Sequence, residues 1–375
     1  MKGMIAFCLF SVLLSVNTVS ANPGEEPKTL EIGAKAPDFR LPATDGKYYS
    51  LSSFKDAKIL AIIFTCNHCP TAQAYEARIK KMVNDYSAKG VKIIAISPNS
   101  PLGLRIDELG WSDLDDSFES MKIRAKDKNF NFPYLYDGEN EKVSKAYGPV
   151  ATPHVFIFDK ERKLRYEGRI DDTENQKKVP ANTDMLNAIN ALLENKEVPV
   201  TSTKVFGCST KWMEKNNFVK QEAEDWAKKP VTVEMIDEAG IKDLIKNNSG
   251  KLRLINIWAT WCGPCVTEFP EFVLMQKMYG LRDFEFISIS ADNPDKKEKV
   301  LEFLKTKQAA NKNYLFSLDD KYKLIEAVDP GWKGALPYTI LVEPGGKIVY
   351  AKQNTIDPLK MRQTIVENQY MGRTY

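Results

Sequence analysis

Two stretches of the 375-residue chain repeat one succession of apolar and polar positions. KILAIIF at 58–64 and KLRLINIW at 251–258 are short apolar runs of β type. Each gives way to a segment with helical spacing, 71–90 after the first and 266–280 after the second, closing on Gly90 and Gly280, a common helix stop. A strand pattern follows at 91–99 and at 284–293. Farther on, Pro153 and Pro337 each precede an apolar strand, which DKERK (159–163) and EPGGK (343–347) turn into a hairpin. Each half thus predicts β–α–β, an intervening helical region, and then β–β–α. The expected fold is α/β, a unit duplicated in tandem, each copy a central mixed β-sheet flanked by helices. The polar, helix-prone run 216–230 lies between the copies. We place the seam near residue 228, giving domains at 28–228 and 229–375.

The first residues break this pattern. Lys2, an apolar run from Met4 to Val16 and the small residues of VSA at 19–21 have the form of a secretory signal peptide, with cleavage expected after Ala21. The run is short for a bilayer span, although an uncleaved N-terminal anchor is the alternative. Cys8 lies too early in it for a lipid-modified mature terminus. No later stretch is long and apolar enough for a membrane helix, so an exported, periplasmic or otherwise extracytoplasmic protein without stable membrane insertion is expected. Composition changes little: 43% apolar, 27% charged, net charge +3 with the signs interspersed. That balance gives no reason to expect a nucleic-acid partner.

Cysteine usage changes more. Beyond residue 21 the chain has Cys66, Cys69, Cys208, Cys262 and Cys265, four of them in two C-x-x-C pairs. A large exported chain with so few cysteines is not a disulfide-stapled scaffold, and so small a loop removes little unfolded-state entropy. The pairs suit opening and closing better. A cysteine where a strand meets a helix lies at the positive end of the helix dipole, which favours the thiolate that attacks in exchange; a second cysteine nearby resolves the mixed disulfide. Cys66 and Cys262 are therefore expected as exposed nucleophiles, with Cys69 and Cys265 as buried resolving thiols. His68, between the first pair, is a candidate to stabilise the Cys66 thiolate as imidazolium, against the alternative of a bystander.

WATWCGPCVTEFP at 258–270 resembles the thioredoxin superfamily, in particular its exported TlpA/ResA-type thiol–disulfide oxidoreductases, over most of 230–375. CNHCP at 66–70, with GVKIIAISPN, FPYLYD, YGPVATPHVFIFD, YEGRIDD and GCSTKW, resembles the peroxiredoxin-like (redoxin) members of that superfamily over 28 to about 215. The resemblance implies two tandem thioredoxin folds and redox-active disulfides Cys66–Cys69 and Cys262–Cys265, with no other cofactor and no metal. Protein dithiols or disulfides would be the substrates, and a membrane or periplasmic reductant would stand upstream. It implies that Pro153 and Pro337 are cis-prolines facing the motifs and offering backbone to substrate. Their separations from Cys66 and Cys262 imply an inserted helical and strand segment in each half. Trp261 would shield the second site, core packing being the alternative. Glu268, one helical turn after Cys265, would move a proton to or from the resolving thiol; a surface glutamate is the alternative.

Departures matter too. Asn256 stands where thioredoxin has a buried aspartate, and Ala72 where the second half has Glu268. Cys208 is either a buried free cysteine or a third redox thiol. With His68 beside the first pair, that centre is expected to be the more oxidising, so electrons would pass from the second domain to the first. Two other functions compete. Peroxide reduction by the first domain is disfavoured by Ile63, where a typical peroxiredoxin has threonine or serine three residues before its reactive cysteine. Metal binding by Cys66, Cys69, His154 and Cys208 has only two ligands close in sequence. His154 itself reads as a strand residue.

Overall fold

The computed structural model describes residues 27–371, so the expected signal peptide and Cys8 lie outside the described residues. A hairpin of β1 (Arg40–Pro42) and β2 (Tyr48–Ser50) leads into the first unit. There β3 (Ile59–Phe64), α1 (Pro70–Tyr86), β4 (Val91–Ser97), α2 (Phe118–Asp127), β5 (Tyr134–Tyr136), α3 (Lys142–Tyr147), β6 (Ala151–Thr152), β7 (His154–Phe158), β8 (Leu164–Gly168), α4 (Asp184–Leu193) and β9 (Cys208–Ser209) follow in order. After α5 (Asn216–Ala227) come β10 (Glu234–Ile236), α6 (Glu238–Lys246), β11 (Leu252–Trp258), α7 (Gly263–Tyr279), β12 (Phe284–Ser290), α8 (Lys297–Thr306), β13 (Lys312–Phe316), α9 (Lys321–Val328), β14 (Tyr338–Val342), β15 (Ile348–Gln353) and α10 (Pro358–Glu367).

The sheet orders are β5-β4-β3-β7-β8 and β10-β13-β12-β11-β14-β15. In both, the strand before the C-x-x-C is central, parallel to its successor and antiparallel to the hairpin strand. A central strand covered on both faces is apolar throughout rather than alternating, which explains ILAIIF. Its odd and even positions serve separate cores. Ile59, Ala61 and Ile63 pack with Tyr75 and Ile79 of α1 and Met185 and Ile189 of α4. Leu60, Ile62 and Phe64 pack with Phe39, Leu41 and Tyr147. In the second unit Leu252, Leu254 and Trp258 meet α7, α8 and α10, while Ile255 and Ile257 meet α6 and α9.

The long gaps before the hairpins are filled by α2–β5–α3 and α8–β13–α9, with β5 and β13 added in parallel to β4 and β12. The helix expected over 71–90 stops at Tyr86; a tight turn over Ser87–Lys89 carries the chain to Gly90, whose left-handed φ of 88° suits glycine. The helix expected over 266–280 starts earlier, at Gly263, because the motif itself forms its first turn.

Helix α5 touches both units. The Glu222 carboxylate accepts the amides of Ile106 (2.9 Å) and Asp107 (3.0 Å), and Trp226 Nε1 donates to the Gln308 carbonyl (2.9 Å). At the far end of α7, the Tyr279 hydroxyl donates to the Ser112 carbonyl at 2.9 Å, and the Arg282 guanidinium lies over the Trp111 ring. Among the described residues no helix is long and apolar enough to cross a membrane.

Candidate active site

The two C-x-x-C motifs sit at equivalent strand-to-helix junctions, but their helices begin at different points. In the second unit Cys262 is the N-cap of α7, and its sulfur accepts the Cys265 amide at 3.3 Å. Gly263 and Pro264 form the first turn. In the first unit the N-cap is Cys69, accepting the Ala72 amide at 3.5 Å, and Pro70 is the first helical residue. Proline is well placed there: it has no amide to leave unpaired and its φ is already helical.

Asp116 holds the residues before Cys69 out of the helix. This buried carboxylate accepts the backbone amides of Asn67 (2.8 Å) and His68 (3.0 Å) and the side-chain amide of Asn99 (2.7 Å). It also lies 2.6 Å from His68 Nδ1. The same nitrogen is 3.5 Å from Cys66 Sγ, while Nε2 is buried without a hydrogen-bond partner among the described residues. One N–H is therefore shared between Asp116 and Cys66, and the three groups do not form a relay through both ring nitrogens. Burial opposes charge on His68, but Asp116 outweighs it and raises the imidazole pKa. Burial works against the Asp116 anion too; the His68 cation and the Asn99 and amide hydrogen bonds hold it below the usual carboxylate range.

The expectation of exposed Cys66 and Cys262 is corrected: the disulfide-bonded Cys262 is only 6% exposed, with the helix packed over it, and the first motif is more enclosed still. Cys66 is 3% exposed and Cys69 fully buried. Burial pushes the Cys66 thiol well up, and the thiol of Cys69 and the charge of Asp116 add to this against the Thr152 hydrogen bond. Burial would raise Cys69 as well, but hydrogen bonds from Cys208 and Cys66, the His68 charge and the Ala72 amide together pull it well down. His68 thus favours a thiolate on Cys69 rather than on Cys66. The neighbouring thiols and the His68 charge contribute most, and the three-residue offset of the helix start adds the free Ala72 amide at the second cysteine.

Thr152–Pro153 and Leu336–Pro337 are both cis. The Thr152 side chain lies 3.1 Å from Cys66 Sγ, and its carbonyl accepts from the Cys69 thiol at 3.2 Å. In the second unit the equivalent residue is Leu336, which packs against the cluster containing Cys262 and Cys265. Cys262 and Cys265 are disulfide-bonded, whereas Cys66, Cys69 and Cys208 are free thiols. β9 pairs with β6 so that Cys208 stands opposite Thr152, and the Cys208 amide donates to Cys69 Sγ at 3.3 Å. Cys208 is therefore beside the first motif rather than in a separate core.

Glu268 is 7% exposed and accepts the Ile356 amide at 3.0 Å, with its other oxygen unpartnered among the described residues. Burial raises its pKa to about 7 against the Ile356 hydrogen bond and Lys352. Trp261 is 58% exposed, with Lys321 over its ring, so it is not a core residue. Upstream, Asp292 fixes the approach to Cys262 by accepting the Thr260 amide (2.8 Å) and hydroxyl (2.6 Å). Asn256 donates to Thr339 Oγ1 at 3.0 Å, a neutral buried pair. His154 spends both nitrogens on the Val150 amide and Glu167, so its ring is not available to the cysteines. Cys66, His68 and Asp116 do offer three donor atoms within 4.8 Å of one another. A metal held by His68 Nδ1 there would have to break the His68–Asp116 contact.

Sequence reasoning missed Asp116, Asn99 and Thr152. Asp116 lies in SDLDDS at 112–117, a polar run that reads as a solvated loop.

Residues 32–167 match the AhpC/TSA family and residues 229–366 the Redoxin family. The thiol–disulfide oxidoreductase ResA of Bacillus cereus is 26% identical over 176 residues, covering 47% of this chain and 86% of that protein. ResA of Bacillus subtilis is 28% identical, covering 32% of this chain and 63% of that protein. A hypothetical protein from Sinorhizobium meliloti, of solved structure, is 32% identical over 49% of this chain and 96% of its own, with a TM-score of 0.44. The chain is a tandem member of the thioredoxin superfamily, an AhpC/TSA-type unit followed by a Redoxin-type unit, and belongs with its thiol–disulfide oxidoreductases.

Proposed function

We propose that the chain is an exported thiol–disulfide oxidoreductase with two unequal dithiol centres, Cys66/Cys69 and Cys262/Cys265. The observation that supports this most is the recurrence, in both units, of a C-x-x-C cysteine capping a helix N-terminus just after the central strand. Such a sulfur is favoured as thiolate, the attacking species in exchange. In the second unit Cys262 attacks a substrate disulfide and Cys265 resolves the mixed disulfide, with Glu268 taking or giving the proton of Cys265. Exposed Trp261 and the backbone around Pro337 receive the extended substrate.

Electrons then pass from the second centre to the first. Stabilising the reduced, thiolate form of a dithiol makes its disulfide the stronger oxidant. The first centre supplies such stabilisation through the His68 cation near Cys69 and through the Ala72 and Cys208 amides that donate to its sulfur. Export rests on the sequence of residues 1–21, and a membrane-bound or periplasmic dithiol is the expected upstream reductant. Turnover of a disulfide-bonded protein substrate, with dithiothreitol as electron source, tests the activity. The wild-type protein turns over and Cys262→Ser loses at least a hundredfold; equal rates for the two would overturn the reading.

Peroxide reduction is the second reading, favoured by the AhpC/TSA match at 32–167. Three residues before the helix-capping Cys69 stands Cys66, and three before Cys66 stands Ile63, so neither register supplies the hydroxyl. Peroxide consumption that disappears in Cys69→Ser would establish it.

A further inference from the structure

Cys208 has no part in a two-centre account, yet it contacts the most buried sulfur of the first centre. The β6–β9 register fixes it opposite Thr152, whose side chain and carbonyl meet Cys66 and Cys69. Its amide is 3.3 Å from Cys69 Sγ, and its side chain packs on the cluster of Cys66, Cys69 and Ala72. The thiols of Cys66 and Cys208 both favour the thiolate of Cys69. Cys69 thus has two thiol neighbours. The accessibilities also differ: Cys66 and Cys69 are buried, Cys208 only partly so. A protein substrate that cannot reach the motif sulfurs could still reach Cys208.

We propose that Cys69 is the shared member of two interchangeable disulfides, Cys66–Cys69 and Cys69–Cys208, and that Cys208 is the thiol through which the first centre meets its protein dithiol substrates. This rests on the reading of the first unit as a disulfide-exchange centre. In the internal step the Cys208 thiolate attacks Cys69 Sγ. The Cys66–Cys69 bond breaks, the Cys69–Cys208 bond forms, and Cys66 leaves with the electron pair and takes up the proton that Cys208 gave up. No electrons enter or leave. A substrate thiolate then attacks Cys208 Sγ and expels Cys69 as thiolate. The second substrate thiol closes the substrate disulfide and releases Cys208, so the protein gains the two electrons the substrate loses; exchange with an external disulfide of the glutathione-disulfide class takes those electrons and re-forms Cys66–Cys69. In the dithiol state the Cys208 thiol is held protonated chiefly by its hydrogen bond to Cys69, then by burial and by the Cys69 charge. Once Cys69 is in a disulfide, its charge and its hydrogen bond no longer oppose ionisation of Cys208, and Lys211 favours it.

Trypsin separates the two disulfides. Cys66 and Cys69 lie together on residues 59–78, and Cys208 lies on 205–211. Full-length protein is poised with glutathione and glutathione disulfide, quenched in acid, alkylated, and digested without reduction. Wild type is expected to yield both the internally looped 59–78 peptide and 59–78 joined to 205–211. Cys66→Ser is expected to enrich the joined species at least tenfold, and Cys69→Ser to abolish it. The inference is overturned by a wild type that gives the looped peptide while Cys66→Ser, with wild-type circular dichroism, gives no joined peptide at any poise. It is equally overturned by Cys69→Ser joining the peptides as efficiently as Cys66→Ser. A wild type giving neither product contradicts the broader exchange reading instead. If Cys66→Ser does not fold, Cys66→Ala takes its place.

Discussion

The Ala72 amide donates to the Cys69 sulfur at 3.5 Å, so helix α1 is capped by the second cysteine of its motif, whereas α7 is capped by the first. One offset of three residues reverses which thiol receives the free amides and the positive end of the helix dipole. It follows that the thiolate ionising at lowest pH belongs to Cys69 in the first unit. Ultraviolet thiolate absorbance of the reduced protein, followed through a pH titration, checks this. Cys69→Ser should lose the earliest step of the first centre and Cys66→Ser should retain it.

Asp116 and His68 form a buried ion pair whose carboxylate also accepts two motif backbone amides. Breaking a buried pair from one side leaves an uncompensated charge, at a cost of roughly 3 kcal/mol or more. Asp116→Asn should therefore destabilise the first unit by about 3 kcal/mol in urea titration. It should also lower the His68 pKa and raise that of Cys69. Imidazole chemical shifts against pH read the first change and thiolate absorbance the second.

Much of this was legible in the sequence and some of it was not. Duplicated apolar runs, helices and hairpins identified both units, because each element's period is a local property of the chain. The offset of the helix starts was not read, although Pro70 follows the second cysteine while Pro264 precedes it and proline prefers the first turn. Asp116 was not legible, because its role depends on a loop returning 48 residues later to the motif amides. Nor was Cys208, whose position depends on the two-residue pairing of β6 with β9 across 56 residues of sequence. Local pattern does not encode such long-range contacts.

Glu268 makes stability depend on pH. Its ordinary pKa of 4.5 is raised to about 7 in the fold, chiefly by burial. Between these values the folded state binds a proton that the unfolded chain releases, so the contribution is favourable at low pH and is lost as pH rises through 7. Glu268→Gln removes this dependence. The variant's stability relative to wild type should rise between pH 4.5 and pH 7 and then level off, as read by thermal denaturation. A flat difference would place the carboxyl in solvent.

Trp261 stands exposed next to Cys262, with Lys321 over its ring. Removing an exposed ring leaves the core intact, so Trp261→Ala should change stability by no more than about 0.5 kcal/mol. If the ring receives substrate, kcat/KM for a protein disulfide should fall several-fold while that for a small disulfide stays near wild type. Equal losses on both would assign it a role in the chemistry of Cys262 instead.

The inequality of the two centres is tested most directly by their reduction potentials, measured in full-length protein against a glutathione couple. Cys262→Ser/Cys265→Ser isolates the first centre, and Cys66→Ser/Cys69→Ser isolates the second. The first should be the more oxidising by at least tenfold in equilibrium constant, about 30 mV for a two-electron couple. Equal or inverted potentials would contradict the flow of electrons from the second unit to the first.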